Sequence, residues 1–269
     1  SFLDKRAIDS FGEYRRELQE LASTLDISTL PRNEQLAFWF NLHNVAMVEQ
    51  ISNAWPVRQP RTLEVGGVPL NDAKFITIRG INMSLRDIRE KIVFSNWRDP
   101  RVIYGFWLGE IGSPALERSA FTGGNVNSLL SLKAEDFINS LRGVQKRGKT
   151  LDVSTIYEDA RPYFFPNFEA DLRKHMSEFA SEDVMKILDK TTQTEARISE
   201  WDIADLAGGR RGSIAQQAAG VRISQGVAEL LTQRARKFDR MERKEIRTGR
   251  VFFTELVLPG DPPAKNEVE

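Results

Sequence analysis

Residues 33–52 read NEQLAFWFNLHNVAMVEQIS. Apolar side chains fall nearly all the way round a helical wheel of this stretch. A helix that is apolar on every side belongs inside a core, not on a surface. The pattern predicts a buried helix that starts near Asn33, after Leu30-Pro31-Arg32, with Trp39 and Phe40 largely buried. Its polar members then need partners. Asn41 and Asn44 are three apart and share a face with Ala37 and Val48. Buried amides require hydrogen bonds, so both are expected to tie the helix to a loop or an adjacent strand. His43 lies three or four residues from Trp39, Phe40 and Met47, on one stripe. It reads first as a packed core histidine and second as a base.

Outward from this helix the punctuation changes. Residues 4–22 set Ile8, Phe11, Tyr14, Leu18 and Leu21 at helical spacing. Between 53 and 82, Pro56, Pro60, Gly66-Gly67 and Pro69 break the period, and Phe75–Ile78 reads as a strand. Ser84 reads as the N-cap of SLRDIREKIV, with Asp87 closing a capping-box-like start. Arg101–Leu108, RVIYGFWL, is rich in β-branched and aromatic residues and reads as a strand entering the turn Gly109–Pro114. Helical patterns follow at 132–142, about 154–160 and 168–188. His175, among the charges of Asp171–Glu178, is expected on a solvated helix face. Helices outnumber strands without regular alternation, which favours α+β over a doubly wound sheet.

The C-terminal part reads differently. GGRRGS at 208–213 has the composition of a linker. A basic amphipathic helix is expected at roughly 223–245, with Val227, Leu230, Leu231, Ala235, Phe238 and Met241 as its apolar stripe, then a strand at 251–258 and a tail. The expected division is a main α+β domain at 1–207 and a mostly helical addition at 208–269 that docks on it or forms a dimer interface. Residues 210–250 carry eleven Lys/Arg against four Asp/Glu, although the whole chain is neutral. Phe238 lies on the apolar stripe and is not interleaved with arginines on an open face. This favours a solvated, docked helix over a nucleic-acid surface.

Composition excludes several chemistries. The chain has 269 residues and no cysteine, so thiolate catalysis, disulfides and cysteine-ligated metals are ruled out. A zinc site with two imidazoles would need both histidines, His43 and His175. No metal or cofactor is expected. The glycine pairs lack the spacing and the following Lys-Ser/Thr of a phosphate loop. No apolar run reaches the roughly 20 residues of a membrane span. The opening residues are amphipathic and read as mature or trimmed protein without a signal peptide.

Three segments carry a resemblance to a known family. Leu30–Val45, LPRNEQLAFWFNLHNV, resembles the FWxNxYN helix of the bacterial domain-of-unknown-function family 547, with His43 where tyrosine is usual. Ile81–Ile92, INMSLRDIREKI, is similar to its SLxDIE segment, and Asp99–Leu116, DPRVIYGFWLGEIGSPAL, to its DPRxHFALxCxxxxCPPL segment. A fainter echo of YDWxLN is Ser199–Leu206, SEWDIADL. The resemblance implies a compact domain like papain-type cysteine hydrolases in an exported, periplasmic or envelope-associated protein, with a small molecule, peptide or envelope component as partner. The family's histidine falls on Ile103, its first cysteine on Leu108 and its second on Ser113.

Two functions follow, from different classes. One is a non-catalytic binding domain whose thiol centre is gone, with an aliphatic, closed site around Ile103 and Leu108. Its binding candidates are Asn41, Asn44, Arg101, Glu110 and Ser113. The other is a hydrolase or acyl-transfer enzyme with Ser113 as nucleophile and His43 or another group as base. Each candidate has a plainer role too. Ser113 before Pro114 suits a helix N-cap, Arg101 suits an ion pair with an internal acid, and Glu110 suits a solvated turn.

Overall fold

The structure, a computed structural model, describes residues 5–117 and 119–204. The expected linker at 208–213, the basic helix, the last strand and the tail lie outside the described residues. So does the division at 207/208.

Helix α1 (Lys5–Thr24) packs against helix α2 (Arg32–Asn53). The second is the all-round apolar helix, and its residues from Leu42 to Glu49 are all buried. Phe40 is fully buried, as the pattern predicted, whereas Trp39 is only half-buried. Arg15 of α1 holds the buried Glu49 carboxylate with two donors, so the one acid deep in α2 is neutralised by its neighbour.

Two small hairpins follow. β1 (Glu64–Val65) pairs with β2 (Val68–Pro69) across Gly66-Gly67, and β3 (Ile76–Ile78) pairs with β4 (Ile81–Met83). The expected strand at 75–78 is present as β3. Ser84 and Asp87 then form the reciprocal cap read from the sequence. Ser84 N–H donates to Asp87 Oδ2 at 3.0 Å, and Asp87 N–H donates to Ser84 Oγ at 3.1 Å. The helix they open is wider than expected, because Asp87–Phe94 is π-helical.

RVIYGFWL is not a strand. Asp99 accepts from Arg101 N–H and Pro100 occupies the first turn, so Pro100–Gly105 winds into a 3-10 helix. Its aromatic and branched residues reflect burial: Val102, Tyr104, Phe106 and Trp107 are almost wholly inaccessible. Nor does Pro114 open a helix. The next one is α3 (Val126–Ile138).

A three-stranded sheet completes the described part. β5 (Val144–Arg147) and β6 (Thr150–Ser154) form an antiparallel hairpin whose turn uses Gly148 at φ +63°. β6 is buried along its whole length. It pairs in parallel with β7 (Gln193–Ile198), reached by a crossover through α4 (Ile156–Phe164), α5 (Phe168–Ser177) and α6 (Glu182–Asp189). Parallel neighbours require such a crossover. The expected helix at 168–188 is thus two helices. The architecture is mixed α+β, with one continuous hydrophobic core beneath α2, the π-helix and α3.

Candidate functional site

The site is framed by the amides of α2. Asn44 Nδ2 donates to Gly105 O at 2.9 Å, and its Oδ1 accepts from Trp107 N–H at 3.0 Å. It thereby meets the backbone as a neighbouring strand would, and Phe106–Leu108 stays extended without one. Asn41 does the same one turn earlier. It donates to Phe121 O at 2.8 Å and accepts from Phe121 N–H at 2.9 Å.

His43 completes a buried chain of polar contacts. Its Nδ1 lies 3.1 Å from Asn44 Oδ1 and its Nε2 lies 2.9 Å from Arg89 Nη1. Arg89 Nη1 also donates to Asn71 Oδ1 at 2.9 Å. Burial first, then the Arg89 charge, push the His43 pKa well below the usual imidazole value. Burial lowers Arg89 itself to about 10, so it remains a cation at neutral pH.

Arg89 borders a narrow cleft with about 20 Å³ of room, enough for a water molecule or one small group. Ile103, Phe106 and Leu108 form one wall, and Phe94, Pro114 and Ile156 add further apolar surface. Glu90 and Asp159 line it as well. The surroundings of Ile103 and Leu108 are therefore narrow but not purely aliphatic, because an arginine and two carboxylates share the space. Sequence reasoning missed Arg89. Its signal was register: Leu85, Ile88 and Ile92 make an apolar stripe, and Arg89 is four residues after Leu85, on that stripe.

Residues 27–138 match the family described as "Protein of unknown function, DUF547". The chain resembles that family over this segment, and no curated protein and no solved structure matches it. All three DUF547-like segments fall within the match. Ile103 and Leu108, where the resemblance leads one to expect the family's histidine and first cysteine, line one cleft, and Pro114, next to Ser113, borders it.

The remaining candidates are engaged elsewhere. Ser113 Oγ is buried and donates to Glu110 O at 2.7 Å, closing a turn in place of the expected helix cap. Among the described residues no imidazole or carboxylate side chain bonds to it. Glu110 is not a solvated turn residue. It is buried, accepts from Arg61 Nε at 3.0 Å, and has its pKa raised because burial outweighs the half-exposed arginine. Arg61 in turn stacks 3.9 Å over the Trp201 ring. Residues Glu200 and Asp202 of the SEWDIADL segment thus lie alongside the turn, accepting from Gly112 N–H and Ile111 N–H respectively. Arg101 is paired with Asp99 and donates to Ser131 Oγ at 2.7 Å.

His175 is the other correction. It is buried, not solvated, stacked on Tyr104 with its Nε2 2.9 Å from the Tyr104 hydroxyl. Leu172 and Met176 form the buried face of α5 with it, and that stripe outweighed the charges on the other side. Among the described residues no group of three or more His, Asp or Glu is placed to hold a metal ion, and no helix is long and apolar enough to cross a membrane.

Proposed function

We propose that this chain is a binding protein of the cell envelope, built on a papain-like domain that no longer cuts. One observation carries the reading. The positions that hold histidine and cysteine in the resembling family hold Ile103 and Leu108 here, and both line the cleft. An isoleucine cannot take up a proton and a leucine cannot attack a carbonyl. Ser113, at the third position, spends its hydroxyl hydrogen on a backbone carbonyl. A serine needs an adjacent base to become a nucleophile, and both imidazoles are bonded elsewhere. In this reading Asn41, Asn44, Arg101, Glu110 and Ser113 hold the frame of the cleft rather than meet its ligand. The export and papain-like descent follow from the resemblance.

The test is a fluorophosphonate probe applied to the full chain. The expected result is no labelling at neutral pH. Stoichiometric labelling that disappears in Ser113→Ala would overturn the reading in favour of a serine hydrolase.

A further inference from the structure

We propose that the cleft over Arg89 binds a carboxylate, borne at the end of a ligand whose stem is apolar. This rests on the binding reading above and names its ligand class.

A guanidinium has five N–H donors in a planar fork. Arg89 uses Nη1 on two neutral acceptors, His43 Nε2 and Asn71 Oδ1, each at 2.9 Å. Neither cancels its charge. Of the three carboxylates whose charge acts on it, Asp72 and Glu90 pair with Arg86, and Asp159 shares the cleft lining without forming an ion pair. Among the described residues no carboxylate forms an ion pair with Arg89, although the residue is only 8% exposed. Its Nε and Nη2 have no partner there, and neither is sealed from solvent. That Nε–Nη2 edge presents two parallel N–H bonds, the geometry a carboxylate accepts bidentately.

A buried charge with nearby carboxylates but no direct ion pair is costly to maintain. Here the cost is borne by a residue that five others position, directly or in turn. Asn71 and His43 hold Nη1, Asn44 holds His43, and Gly105 and Trp107 hold Asn44. The backbone that carries Arg89 is π-helical, an uncommon conformation that concentrates at functional sites.

Size and polarity select the ligand. The room available suits one small planar group. A stem would lie outside this room, along the half-buried Leu108 and Ile156 of the lining. Glu90 and Asp159 on the lining repel a second negative charge, which disfavours a phosphate dianion.

The experiment is a methyl NMR titration of the full 269-residue chain with sodium hexanoate, hexan-1-ol and inorganic phosphate, each separately. Hexanoate is expected to shift the Ile103 and Leu108 methyls and the Arg89 Nε–H saturably. Hexan-1-ol should bind about tenfold more weakly or worse, the share of a charge-assisted hydrogen bond, and phosphate should leave these signals unmoved. Arg89→Gln should abolish the hexanoate response. Because that variant also disturbs a buried network, Leu108→Trp supplies a second check: it fills the cleft, leaves every Arg89 partner in place, and should abolish the response too. Asp159→Asn, at an exposed residue, should tighten hexanoate. Equal binding of hexan-1-ol, preferred binding of phosphate, or no response to hexanoate overturns the carboxylate assignment. Labelling of Ser113 by fluorophosphonate would instead overturn the binding reading beneath it.

Discussion

Arg89 Nη1 lies 2.9 Å from His43 Nε2, so a buried cation donates a hydrogen bond to an imidazole. Arginine has no acceptor. His43 Nε2 must therefore be bare, and its proton sits on Nδ1, facing Asn44 Oδ1 at 3.1 Å. Burial and the arginine charge both oppose a second proton. The expected outcome is a neutral, Nδ1-protonated His43 at neutral pH and still at pH values where an ordinary imidazole is already protonated. Long-range proton–nitrogen NMR spectra check it. A titration with a midpoint near the ordinary imidazole value would show that the Arg89 contact does not exist.

His175 makes the acid side of the stability profile predictable. Burial, opposed by Asp99 and reinforced by Arg101, lowers its pKa to about 4. Above about pH 6.5 it is neutral in both folded and unfolded chains and contributes no slope. Between about 6.5 and 4 the unfolded chain takes up a proton that the folded one refuses, so stability falls as pH falls. By pH 5 the loss from His175 alone is about 2 kcal/mol. His43 adds a loss of the same sign. Glu110, whose pKa is raised, works in the opposite direction on acidification. Asp87, lowered to about 2 by Lys91 and the Ser84 cap, contributes stability that is lost only below the ordinary carboxylate range. Urea melts at pH 7.5 and pH 5 should show the fall, and His175→Phe should reduce it. A fall of undiminished size in His175→Phe would show that the His175 imidazole is not its source.

Phe40 and Gly105 are matched in shape. A Cβ on Gly105 would stand 2.3 Å from Phe40 Cε1, closer than side chains tolerate. Gly105→Ala should destabilise by about 1–3 kcal/mol through overpacking. Phe40→Ala should cost about 3–5 kcal/mol through the cavity it leaves. Trp39→Ala should cost less than Phe40→Ala, because Trp39 is only half-buried. In a cycle of the wild type, Gly105→Ala, Phe40→Leu and the double variant, the double should cost less than the two single changes added together. Denaturant melts of the four proteins decide it, and simple additivity would count against the contact.

How much of this was legible depended on whether the signal was local. The α2 helix and the Ser84–Asp87 cap are written in adjacent residues, and both stand where the pattern put them. RVIYGFWL misled because branched and aromatic residues mark burial as much as strand. The satisfaction of its backbone came from Asn44, about sixty residues away. Strand β6 was not found, since its parallel partner β7 lies some forty residues downstream and its full burial gives no alternation. Arg89 and His175 share a cause. Each is a polar residue on an apolar helical stripe, and weighing charge before register sends both to the surface. The cleft joins residues from the π-helix, the 3-10 segment and α4, an assembly that no single stretch of sequence spells out.

The two asparagines of α2 should differ in a way that separates frame from surface. Asn44 is buried and serves three partners: Gly105 O, Trp107 N–H and the His43 ring. Asn41 is half-buried and serves both backbone groups of Phe121. Removing a partner from a buried polar group costs about 1–3 kcal/mol, and less where water can replace it. Asn44→Ala should therefore destabilise more than Asn41→Ala. Asn44→Asp should not rescue it, because a carboxylate keeps the bond from Trp107 N–H but turns an oxygen toward the Gly105 carbonyl in a low-dielectric setting. Asn44 also fixes the segment that carries Ile103 and Leu108, so its loss should broaden their methyl signals, while Asn41→Ala leaves them sharp. Equal costs in a urea melt, or a fully stable Asn44→Asp, would mean that the amide clamp is not what positions the wall of the cleft.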